Sequence, residues 1–145
     1  MLLFISITYW SLFLLNMAHY NSFEELEIFI LAKDVSNEVW QLMNETTLRN
    51  DYKLRDQINA ASGSIMDNIA EGFGRGGNKE FIMFLSYARG SCTETRSQLI
   101  RAHDRNHISA ETFKTVSAMT IELEAQISKF INYLRNSQRR GSKFD

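Results

Sequence analysis

The sequence predicts an all-α protein, an antiparallel up-down-up-down four-helix bundle, on three observations. Proline is absent from all 145 residues, so the chain lacks both the usual helix stop and the commonest rigid turn former. Four segments carry apolar residues at alternating spacings of three and four, the pattern of helices with one buried face. The breaks between these segments are short, which makes sequential helices antiparallel neighbours. No strand alternation of comparable length competes with them.

The first helix is expected from the S-x-x-E capping box Ser22-Phe23-Glu24-Glu25, in which the serine oxygen and the glutamate satisfy free amide groups. Its stripe is Ile28, Leu31, Val35, Val39 and Leu42, and it fades near Thr46-Thr47. The second follows Leu54, Ile58, Ala61, Ile65 and Ile69, and Gly72-Phe73-Gly74-Arg75-Gly76-Gly77 stops it. Asn78 is the expected cap of the third, whose inner face is Phe81, Leu85, Ala88, Cys92, Thr95, Leu99 and Ala102. Small residues around Ala88, Gly90 and Ser91 would let a neighbouring backbone approach closely. Arg105-Asn106-His107-Ile108 forms the next break, and Ser109 caps the fourth helix. Its stripe Phe113, Val116, Thr120, Leu123, Ile127, Phe130 and Leu134 is a heptad seam.

The length fits one domain, and 44% hydrophobic residues are enough for a real core. Sixteen Lys+Arg against 17 Asp+Glu give a net charge of −1, which argues against coating nucleic acid through overall charge. The charge is uneven: residues 1–94 hold 7 basic and 12 acidic side chains, and residues 95–145 hold 9 and 5. The C-terminal third is the basic part. The single cysteine, Cys92, forms no internal disulfide, which points to a reducing, cytoplasmic setting.

The chain divides into an apolar N-terminal extension, residues 1–21, a bundle over 22–136 and a basic tail over 137–145. Met1 to Asn16 is strongly apolar and carries no charged side chain. It is shorter than the roughly 20 residues a spanning helix needs, and it lacks the basic start and small-residue cleavage site of a secretory signal. Three readings stand in this order: a misassigned start with Met17 as the true initiator, an apolar tail that is disordered or packed on the surface, and a membrane anchor.

Two segments carry a family resemblance. Gln57-Ile58-Asn59-Ala60-Ala61-Ser62-Gly63-Ser64-Ile65, followed by Asn68-Ile69-Ala70-Glu71-Gly72-Phe73 and Arg75, resembles the signature of the four-helix bundle proteins encoded in 23S rRNA intervening sequences, the S23 proteins. Ala88-Arg89-Gly90-Ser91-Cys92-Thr93-Glu94 is similar to that family's A-x-G-S-x-x-E segment. The likeness runs from about Phe23 to Leu134; Met66 stands where the family often has proline. The resemblance implies a bacterial, cytoplasmic homo-oligomer, most often a pentamer, without catalytic activity. It also implies kinship with the accessory bundle proteins of diversity-generating retroelements, which bind nucleic acid and a reverse transcriptase.

The residues that carry possible chemistry each have a plainer explanation. Gly72 to Gly77 satisfies G-x-G-x-x-G literally, but a helix and not a strand precedes it, so dinucleotide binding is set aside. Its other reading is a phosphate site at the start of the third helix, flanked by Arg75 and Lys79, beside the plainer reading of a loop. His103 and His107 have a metal-ligand spacing without the third ligand zinc requires, so neither metal nor cofactor is expected. Asn68, Glu71 and Glu94 are placed to meet across the second and third helices, where a polar network that fixes helix register is preferred over acid–base chemistry. No small-molecule substrate is implied. Surplus apolar residues at the starts of the first and third helices make Phe29, Phe81 and Phe84 the candidate oligomer interface. Arg75, Lys79, Arg135, Arg139, Arg140 and Lys143 gather at the same end as a candidate contact for RNA or DNA. The expected function is a non-enzymatic oligomeric scaffold or adaptor for protein or RNA, with a nucleic-acid-binding accessory factor as the alternative and an uncharacterised enzyme ranked last.

Overall fold

The computed structural model describes residues 20–137. Four α-helices form an antiparallel up-down-up-down bundle: α1 Glu27–Glu45, α2 Tyr52–Gly74, α3 Asn78–Asp104 and α4 Ala110–Asn136. Each helix packs on its neighbours in sequence, and α4 closes the ring against α1. Every regular element among the described residues is helical.

The stripes of α2 and α3 are buried at every expected position, and that of α4 at every position but the half-buried Phe113. In α1 the pattern rotates slightly: Ala32 and Met43 are buried, whereas Leu31 is half-buried. Two clusters divide the core. At one end Leu26, Ile69, Phe81, Phe130 and Leu134 join the start of α1, the end of α2, the start of α3 and the end of α4. At the other, Leu42, Leu48, Leu54, Ala102 and Val116 join the opposite termini.

The helix ends depart from the sequence pattern where a single apolar residue had to be buried. No capping box forms at Ser22. Phe23–Glu25 make one 3-10 turn, and Leu26, 2% exposed, then takes an extended backbone (φ −67°, ψ 126°) that carries its side chain into the core. The α-helix therefore begins only at Glu27. The Ser22 hydroxyl instead serves Glu24, holding its carboxyl below the ordinary range, and Glu25 Oε2 accepts the Asn21 N–H at 3.1 Å. A second 3-10 turn, Thr47–Asn50, inserts fully buried Leu48 between α1 and α2. Asp51 then caps α2, accepting the Leu54 N–H at 3.3 Å.

Gly72 and Gly74 lie within α2, and the reversal comes later, at Gly76 with φ 76°. The cap position of α3 belongs to Gly77, so Asn78 is its first helical residue and makes no side-chain cap. After α3, Asn106 adopts φ 58°. The bonds His107 N–H to Ala102 O and Asn106 N–H to His103 O, both 2.9 Å, form a Schellman ending. Ser109 caps α4 as expected, accepting the Thr112 N–H at 3.1 Å.

Candidate functional site

The two motif segments face each other along the α2–α3 seam. Their closest approach is at Gly72, where an added Cβ would lie 2.7 Å from Phe84 Cβ and 2.8 Å from Phe81 Cδ2. Gly90, expected to permit such an approach, is exposed, and a Cβ there would meet nothing within 4 Å. Along the seam, Asn68 Nδ2 donates to Ser64 O at 2.8 Å and to Ser64 Oγ at 3.0 Å. Ser91 Oγ reaches Ser64 Oγ from α3 at 3.1 Å. Farther down, Arg101 donates to Gln57 Oε1 at 3.0 Å.

The seam does not gather Asn68, Glu71 and Glu94 into one site. Glu71 is exposed and binds Arg75 on its own helix at 2.6 Å. Glu94 is exposed and accepts from Gln98 on its own helix at 3.4 Å. Asn68 alone is linked across the helices, through Ser64. Solvent separates the two carboxylates from the core because both lie on the outer flank of the pair, so this arrangement supplies helix register and no acid–base pair.

Among the aromatic candidates, Phe81 is 8% exposed and packs edge-on against Phe73 and Phe130, at 6.0 and 5.5 Å. It is a core residue, which corrects its place in the expected interface: a segment apolar around its whole circumference gives no sign of which side turns inward. Phe29 is half-buried against Phe23 at 4.8 Å. Phe84 is half-buried between Tyr87 and the Arg75 guanidinium, 5.2 Å above its ring. More exposed are Met83 at 44% and Tyr87 at 54%, which periodicity outside the buried stripe left unremarked.

Of the basic candidates, Lys79 and Arg135 are exposed at the end where α3 starts and α4 finishes. Arg75 lies there too, held by Glu71 and Phe84. Arg139, Arg140 and Lys143 lie outside the described residues, as do residues 1–16 and the Met17 start.

The opposite end holds a polar cluster that no motif announced. Asp51 Oδ2 accepts from Arg105 at 2.6 Å and lies 3.1 Å from His107 Nε2, while His107 Nδ1 lies 2.8 Å from Thr47 Oγ1. The Arg105 side chain, foremost, holds the Asp51 carboxyl below its ordinary range, with His107 and the Leu54 N–H acting in the same direction. His103 instead stacks on Phe113 at 5.1 Å. The two histidines thus have separate partners, and no group of three His, Cys, Asp or Glu among the described residues is arranged to hold a metal. Cys92 is buried, and desolvation pushes its thiol up to about 12. An open cleft between α3 and α4 is lined by Arg96, Ile121, Glu124, Ala125 and Ser128 and bridged by the Arg96–Glu124 pair at 2.9 Å. No helix among the described residues is long and apolar enough to cross a membrane.

An all-α bundle whose shared motifs build a helix–helix seam is the class these features define. The chain belongs to the 23S rRNA-intervening sequence protein family, whose model matches residues 24–129. Its fold is similar to the crystal structure of a protein of unknown function from the S23 ribosomal protein family of Bacteroides thetaiotaomicron VPI-5482. The TM-score is 0.65 at 20% identity, over 72% of this chain and 97% of that one. No curated protein matches the chain.

Proposed function

We propose that this protein is a non-enzymatic homo-oligomeric scaffold for protein or RNA, assembled through the outer face of α3. The observation that carries this reading is the pair Met83 and Tyr87, 44% and 54% exposed, four residues apart beside half-buried Phe84. Exposed apolar surface of this kind, flanked by charged Lys79 and Arg89, is typical of protein interfaces. The polar groups that chemistry would recruit are engaged in holding helices together: Asn68 with Ser64, His107 with Asp51 and Thr47. The family resemblance supports a pentamer. Hydrodynamic mass at micromolar concentration tests the reading. It should exceed the 16.8 kDa chain and fall towards it in Tyr87→Lys while the helical signal stays. A wild-type monomer overturns it.

The second reading, a nucleic-acid accessory factor, is favoured by exposed Lys79 and Arg135 at one end of the bundle, close to the basic tail in sequence. Kinship with the retroelement accessory proteins supports it. Phosphate contacts would carry such binding, with salt dependence as its signature.

A further inference from the structure

The two ends of the bundle are finished differently. At the far end Leu48 and Ile108 plug the core, and the Asp51, Arg105, His107 and Thr47 bonds lie across it. Phe113 is the one half-buried apolar side chain packed against that cluster among the described residues. At the near end no such polar tie is seen among the described residues. There Phe23, Phe29, Phe73, Ile82 and Tyr133 form a half-buried apolar fringe around Leu26, Phe81, Phe130 and Leu134.

The chain enters at this same end. Tyr20 packs against the near-end core, where burial, foremost, and the neighbouring Glu27, Tyr133 and Glu25 raise its phenol pKa. Immediately before it in sequence stands the uncharged apolar stretch Met1 to Asn16. We propose that residues 1–16 dock in cis on this fringe and close the near end of their own bundle.

Reach favours the docking. Sixteen residues span about 24 Å as a helix and about 50 Å extended, and a four-helix bundle with axes about 10 Å apart is roughly 20 Å across. Chemistry favours this occupant over a lipid surface. The stretch falls short of about 20 residues, and Glu24, Glu25 and Glu27 at its root, all exposed, oppose anionic headgroups. The link from Met17 to His19 is short, so the segment is present at high effective concentration and outcompetes a second copy.

The test uses the full chain with Trp40→Phe, a mild change at an exposed site that leaves Trp10 as the single indole of the two. Trp10 should emit to the blue of free indole and be quenched by acrylamide several-fold more slowly, independently of protein concentration. Leu14→Asp with Leu15→Asp, which leaves the bundle untouched, should restore free quenching. Phe29→Asp should do so from the fringe side, with helical signal retained as the control. Free quenching in the folded parent overturns the proposal. So does protection that appears only at high protein concentration, which places the segment on a second copy, or only with phosphatidylcholine vesicles. An intact mass from the native cell that begins at Met17 overturns it as well.

Discussion

Gly72 and Phe84 approach so closely that a methyl group on the glycine would sit 2.7 Å from Phe84 Cβ, an atom fixed to its helix and unable to swing aside. This contact sets the α2–α3 spacing at the motif's own glycine. Overpacking costs about 1–3 kcal/mol, against about 1 kcal/mol of helix propensity gained by alanine. Gly72→Ala should therefore lower stability by up to about 2 kcal/mol. Gly63 and Gly90 lie inside helices with open space around a built Cβ, and each change to alanine there should raise stability by about 0.5–1 kcal/mol. Denaturant midpoints of the three variants decide it; a stabilising Gly72→Ala would refute the spacing argument.

Asp51 ties three parts of the far end: the Arg105–Asp51 bond is 2.6 Å, the His107 contact 3.1 Å and the Leu54 cap 3.3 Å. Its carboxyl titrates below the ordinary range in the fold. The folded pKa is thus lower than the unfolded one, so the ionised group contributes stability above the unfolded value, about 4. That contribution is lost as pH falls through the folded value. Thermal melts of Asp51→Asn should show a lower Tm than wild type at pH 7, with the gap narrowing below about pH 4. An equal gap at all pH values would remove the titration from the explanation.

Periodicity located the four helices because a buried face repeats within each segment, as Leu54, Ile58, Ala61, Ile65 and Ile69 do without exception. Leu26 and Leu48 were missed as core because each is a single residue outside any stripe, buried by a 3-10 turn and not by a helix face. The Asp51 cluster was illegible for another reason: its partners are 54 and 56 residues away, and no local pattern pairs them. Asn68, Glu71 and Glu94 could be assigned to helices, but outer flank and inner seam differ by one helical step that spacing alone leaves unresolved.

Cys92 combines full burial with a thiol pushed up to about 12, so thiolate is scarce at neutral pH and reagent access is closed. The native chain should react with a thiol-specific disulfide reagent orders of magnitude more slowly than the denatured chain. The native rate should follow opening of the bundle and rise with denaturant. Prompt native labelling would mean that the α3–α4 contact opens readily in solution.

Lys79 and Arg135 are exposed at the near end, whereas Arg75 is already engaged by Glu71 and Phe84. If this end contacts phosphates, binding of structured or single-stranded RNA should weaken steeply with salt, because each neutralised phosphate releases condensed counterion. Sequence preference should be slight, since these side chains sit at a helix end and near a tail, where backbone contacts come more readily than base edges. Arg139→Gln, Arg140→Gln and Lys143→Gln together should lower both affinity and the salt slope and leave the melting temperature unchanged, as all three lie beyond the last core residue, Leu134. Arg75→Gln should change RNA affinity less than Lys79→Gln, because its charge is already paired. Absence of retardation at low salt would refute the nucleic-acid reading, and a triple variant that binds like wild type would move the contact away from the tail.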